Sequence, residues 1–235
     1  MNIVFLGIHN KTIFFLELAK KLQAAGHQIY WISPSRVWSA WLREHGVSEN
    51  RLLNIANFGP EWARGDRLSQ SQLQEIEELE KFSQMSLRNV ILMDRLLSRK
   101  PYRYAMAYLY NYQKLAKNFL LKNEIQVVLS EQCYAHEIVN TMLCRKLSIP
   151  CYNFGTVRIP SEQFGFFKDH YEQEFAIFKN PDEQHRAQAR TLYHHFVETK
   201  QKPYDFNYIL QNNGKYEIKA NWFLKFFKNL QIMIL

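Results

Sequence analysis

The chain contains no G-x-G-x-x-G or G-x-x-x-x-G-K-[ST] run, no C-x-x-C pair, no internal repeat and no low-complexity linker. Each absence removes a class of protein. Without a glycine-rich first turn, a dinucleotide or P-loop phosphate cradle is not expected there. Cys133, Cys144 and Cys151 are odd in number and sit in apolar or helical contexts. Reduced core thiols are therefore expected, rather than a disulfide framework or a thiolate metal site. No apolar run reaches the ~18 residues of a membrane span. No basic segment, apolar stretch and cleavage site opens the chain, which reads as cytoplasmic.

What is present describes an ordinary globular protein able to bury a real core: 235 residues, 47% hydrophobic and 22% charged. The formal charge of +8 and pI near 9.3 attract anions, whether nucleotide phosphates, nucleic acid or an anionic membrane. Nucleic acid is not the expected partner. The basic residues are spread over the whole chain, no recognition motif is visible, and most aromatics fall in core-like apolar runs.

The most informative stretch is 2–33, which reads as a β-α-β unit. Two short apolar runs, 3–8 and 28–33, flank a segment in which Ile13, Leu16, Ala19, Leu22 and Ala25 supply helical spacing. Thr12 is placed to cap that helix, and Gly26 to end it. A helix over 35–45 and a strand over 51–56 follow. A loop with Gly59, Pro60 and Gly65 then leads into a helical region from 68 to about 100, stopped by Pro101. Beyond it come a helix over 103–122, a strand over 125–130, a helix over 135–147, a strand over 150–154 and a loop over 155–165. The order predicts an α/β fold: a Rossmann-like parallel sheet with helices on both faces and a helical insertion over 68–122.

The segment NVILMDR (89–95), the strand ending in Ser130-Glu131 with its following helix, and IPCYNFGTVRIPSEQFGFF (149–167) are moderately specific in combination. Together they resemble the amino-terminal half of bacterial capsule and surface-polysaccharide biosynthesis proteins of GT-B glycosyltransferase architecture. The resemblance covers roughly 1–170. It implies one of two facing Rossmann-like domains, the one that mainly holds the acceptor, with 171–235 as a helical extension toward a missing or partner domain. The chain ends at Leu235, too early for a complete second half, so the implied nucleotide-sugar site would lie largely elsewhere. The implied partners are a nucleotide sugar, a glycan acceptor and a donor-binding domain or chain. No cofactor or metal is implied. A non-catalytic binding or scaffold subunit, and a sugar-nucleotide epimerase or hydrolase, remain open beside the transferase.

Inverting glycosyl transfer needs a base to take the acceptor's proton. His9 and Glu131 both follow expected strands, so both project from the sheet edge where α/β folds bind ligands, and they form the candidate pair. The plainer alternative is that each merely caps a helix. Asn10 adds a polar group beside His9. Arg158, with Ser161, stands ready for a phosphate or sugar carboxylate, against the alternative of a surface ion pair. Asp94 and Arg95 are expected inside an amphipathic helix, exposed or locally paired, with a buried ion pair as the functional alternative. His136 and Glu137 are adjacent on a helix and so do not share a face for a metal. His194 and His195 read as a solvated helix face. The tail, from Trp222 to Leu235, interleaves aromatics with lysines before an apolar end. It suits docking on a missing domain or partner, or peripheral contact with the inner face of a membrane.

Overall fold

The computed structural model describes residues 1–7, 11–55, 68–157, 163–172, 174–176 and 182–200. Strand β1 (Asn2–Leu6) sends Ile3 and Phe5 into one apolar cluster and Val4 and Leu6 into another. Strand β2 (Gln28–Ser33) does the same with Ile29 and Trp31 on one side and Ile32 on the other. Strands apolar on both faces need a helical layer on each. β1 is parallel to β2 along one edge and to β4 (Val127–Ser130) along the other, with Ile3 in register with both Ile29 and Val127. β2 pairs in parallel with β3 (Leu52–Asn54), and β4 with β5 (Cys151–Val157). With β6 (Gln163–Phe167) the sheet runs β3-β2-β1-β4-β5-β6, the Rossmann-like order that the sequence predicts.

One face is covered by α1 (Lys11–Ala24) and α2 (Arg36–Glu44), whose Phe15, Leu16, Ala19 and Leu42 join the Ile3, Phe5 and Trp31 cluster. Phe5 is its centre, with ring centroids 5.1 Å from Phe15 and 5.2 Å from Trp31. The other face carries α3 (Gln70–Glu77), α4 (Leu87–Met93), α5 (Tyr102–Lys122) and α6 (Ala135–Lys146). There the Tyr112 hydroxyl donates to Asn140 Oδ1 at 3.1 Å and pins α5 to α6 inside the core. Gly26 ends α1 with φ +85°, as expected of a left-handed terminus.

Four expectations are corrected. The helical region over 68–100 is not continuous: α3 passes into a 3-10 turn, Glu78–Phe82, before α4 starts afresh. Ser86 caps α4 by accepting from Asn89 N–H, and Glu80 accepts from Leu87 N–H. Asp94 ends α4 rather than lying inside a helix. It is 3% exposed and spends one carboxylate oxygen on the amides of Leu96 and Leu97. Thr12 is the second residue of α1, not its cap. The loop over 155–165 becomes strand at Gln163.

The chain divides into two compact units, Met1–Phe154 with Phe166–Ala176, and Gly155–Gly165 with Ile177–Leu235. In the second, Asp182 caps α7 (Glu183–Thr199), a helix with no buried residue. His194 and His195 are exposed on it, as expected. Among the described residues no helix is long and apolar enough to cross a membrane. The tail from Trp222 to Leu235 lies outside the described residues.

Truncating Phe5 leaves a cavity that Phe15 and Trp31 cannot jointly fill. Phe5→Ala is expected to destabilise the chain by about 3–5 kcal/mol, read as a lowered urea midpoint with an unchanged slope. A loss below about 1 kcal/mol would mean that the aromatic stack is not the centre of that face.

Candidate functional site at the strand-order reversal

The strand order reverses between β1 and β4, and it is at the carboxyl ends of the strands beside such a reversal that open α/β sheets form a ligand crevice. From β1, Gly7 N–H donates to Ile32 C=O at 3.0 Å and the chain turns toward α1. A Cβ on Gly7 would lie 3.1 Å from Thr12 Oγ1 and 3.5 Å from the Trp31 ring, so α1 approaches the strand closely and a side chain here would press on Thr12. Lys11 stands at the first position of α1. Its Nζ lies 2.6 Å from Glu131 Oε1, directly after β4, and 5.3 Å from the centre of the Phe154 ring in the middle of β5. The ion pair therefore spans the reversal, with side chains 31% and 24% exposed and open to a ligand.

The connection from β4 to α6 is held by two buried carboxyls. Gln132 takes φ +57°, a left-handed conformation rare outside glycine and asparagine, with its side chain 2% exposed. That turn aims the amides of Cys133 and Tyr134 at Glu137 Oε2, at 2.6 and 2.8 Å. Asp94 reaches the same helix end: its second oxygen accepts from Ala135 N–H at 2.8 Å. The amides at the start of α6 are thus satisfied by carboxylates from α4 and from α6 itself.

Glu137 is fully buried, and burial pushes its carboxyl up to about 8 despite the two amides. Its Oε1 has no hydrogen-bond partner among the described residues, and neither do Ser130 Oγ, Gln132 Oε1 and Asn153 Oδ1. Ser130 and Asn153 are register partners, and Thr141, one turn beyond Glu137, meets Cys151 at 3.5 Å. Thr141 thus ties α6 to the start of β5. Cys133 lies at the surface of this loop, not in the core as expected. Partial burial and the neighbouring Glu131 and Glu137 push its thiol up to about 12, so it is no thiolate nucleophile at neutral pH. Cys144 and Cys151 are buried free thiols, as expected. His136, also buried, packs against the rings of Tyr108, Tyr112 and Tyr134. Among the described residues no cluster of His, Cys, Asp and Glu is arranged to hold a metal ion.

Of the expected site residues, Glu131 stands at the crevice edge. His9, Asn10, Arg158 and Ser161 lie outside the described residues. The partner that Glu131 shows is Lys11, which sequence reasoning passed over although it opens the helix after β1. Glu137 was also missed as more than a failed metal ligand. Its signal was a glutamate three residues after the helix cap, the acidic half of a capping box. Asp94 carries neither of the roles expected of it: it is buried, and its described partners are backbone amides. No family model, no curated protein and no solved structure matches this chain.

The raised Glu137 carboxyl ties stability to pH. Its ordinary value is 4.5, so the folded protein holds this proton more tightly than the unfolded chain. The stabilisation is complete below about 4.5 and is lost as pH rises toward 8. Glu137→Gln mimics the protonated form and removes this dependence. Urea midpoints of the two proteins should agree near the acid end of that window, then diverge in favour of the variant through it and run parallel above it. Parallel curves throughout would show that Glu137 does not titrate there.

Proposed function

We propose that this chain is the acceptor-side, Rossmann-like half of a GT-B-type glycosyltransferase of surface-polysaccharide assembly, with the crevice between β1 and β4 holding the acceptor sugar. The observation that carries this reading is the Lys11–Glu131 pair, half-exposed at the strand-order reversal. A sugar presents neighbouring hydroxyls that both donate and accept. The free capacity of a carboxylate accepts one such O–H, while an ammonium beside it donates to the next oxygen. The motif resemblance over 89–95, 130–131 and 149–167 supports the same reading. The nucleotide sugar then comes from a partner domain or chain. In that arrangement Glu131 orients the acceptor, and proton removal falls to His9, the imidazole expected at the same edge.

A second reading is favoured by the ion pair itself. A carboxylate already holding an ammonium at 2.6 Å is better placed to grip a hydroxyl than to remove its proton. On that account the chain is a binding subunit that presents the acceptor to a separate catalytic chain.

Calorimetry of the whole chain against a panel of glycan acceptors and nucleotide sugars tests both. Glycans should bind, and Glu131→Gln or Lys11→Met should weaken them about tenfold or more, the worth of one charge-assisted hydrogen bond. Nucleotide sugars bound tightly, with glycans ignored, would overturn the acceptor-side assignment. Activity of a reconstituted pair that survives His9→Ala would favour the binding-subunit reading.

A further inference from the structure

The surface around the end of α4 combines exposed apolar side chains with an excess of positive charge. Between Ser83 and Asn123 the sequence holds eight basic residues, Arg88, Arg95, Arg99, Lys100, Arg103, Lys114, Lys117 and Lys122, and a single acid, Asp94. That acid is removed from the surface: it is buried, and its oxygens are taken by the amides of Leu96, Leu97 and Ala135. Of the acids just before this stretch, Glu78 pairs with Lys146 and Glu80 accepts from the amide of Leu87, while Glu77 is exposed. α4 buries Leu87, Val90 and Ile91 against the core and leaves Leu92 62% and Met93 40% exposed. Leu96, in the turn that Asp94 fixes, is 63% exposed. Arg88, Arg95 and Arg99 are exposed beside them, and none forms an ion pair among the described residues.

We propose that the surface formed by Leu92, Met93 and Leu96, framed by Arg88, Arg95, Arg99 and Lys100, docks the protein onto an anionic lipid bilayer. Charge complementarity commits the occupant. Basic residues are drawn to anionic headgroups, and large aliphatic side chains in their midst enter the headgroup–acyl boundary. A nucleic acid would use the arginines but has no place for two leucines and a methionine held outward. A protein partner is not selected for by a patch so one-sided in charge. The buried Asp94 serves this surface twice, since its carboxylate withdraws the one acid of 84–122 and its grip on the amides of Leu96 and Leu97 sets the turn that carries Leu96 to the outside. The contact is distinct from one through the tail, and it is independent of the sugar-binding assignment.

The test is co-sedimentation of the whole chain with phosphatidylcholine vesicles, with and without phosphatidylglycerol, at low and high salt. The protein should pellet with the anionic vesicles, remain largely soluble with the neutral ones, and be released by salt. Leu92→Ser/Leu96→Ser and Arg95→Ser/Arg99→Ser alter exposed side chains only and should keep the circular-dichroism spectrum of the parent. Each pair should lower partitioning about tenfold or more. Binding that survives both pairs would place the contact elsewhere in the chain, such as 222–235, and overturn the proposal. Equal affinity for neutral vesicles, preference for single-stranded RNA over anionic vesicles, or no vesicle binding at all would overturn it as well.

Discussion

The parallel pairing of β1 on both of its edges is the constraint from which the rest follows. A strand with two parallel neighbours cannot be joined to either by a hairpin, so each connection must leave the sheet and return through a helix. β1 accordingly leaves through α1 toward β2 on one face, while β4 leaves through α6 toward β5 on the other. The two departures diverge at one point of the sheet edge. Lys11 at the head of α1 and Glu131 ahead of α6 meet across that point.

Buried carboxyls keep the open edge in shape. The β4–α6 loop bends through a left-handed glutamine, a conformation that costs of order 1–3 kcal/mol unless its surroundings impose it. Glu137 and Asp94 hold it together, with five amide hydrogen bonds from two stretches of backbone, the turn after α4 and the residues leading into α6. They do so by different means. Asp94 is saturated by three amides, whereas Glu137 keeps one oxygen among acceptors and is driven toward its protonated form. The α6 side of the sheet edge is thus held by buried groups.

The parts of this fold that could be read from sequence are those decided locally. The runs over 3–8, 28–33 and 125–130 are too short and too β-branched to be helices, and parallel strands lie there at Asn2–Leu6, Gln28–Ser33 and Val127–Ser130. The sheet edge at Glu131 could be read too, since position after a strand fixes it. What escaped was decided across long separations. α4 stops where it does because Asp94 reaches Ala135, 41 residues on, and no periodicity within 68–100 records that contact. Lys11 finds Glu131 only once β1 and β4 are neighbours. β6 was missed because the glycines around it read as loop, while its pairing is supplied by the edge of β5. Cys133 was placed in the core on composition, although the turn at Gln132 carries it to the surface.

Asp94 joins two regions that the sequence presents as unrelated. One of its oxygens holds the turn that exposes Leu96, and the other holds the first amide of α6, four residues after Glu131. A shift of the α4 turn therefore cannot occur without either breaking a buried charge-assisted hydrogen bond or moving the helix that sets the β4–α6 loop. Leaving a buried carboxylate short of a donor is costly, and a helix packed through Ile138, Val139 and Met142 into the core does not slide. The two regions are consequently one mechanical unit, and the apolar, basic surface stands in a fixed relation to the polar crevice edge.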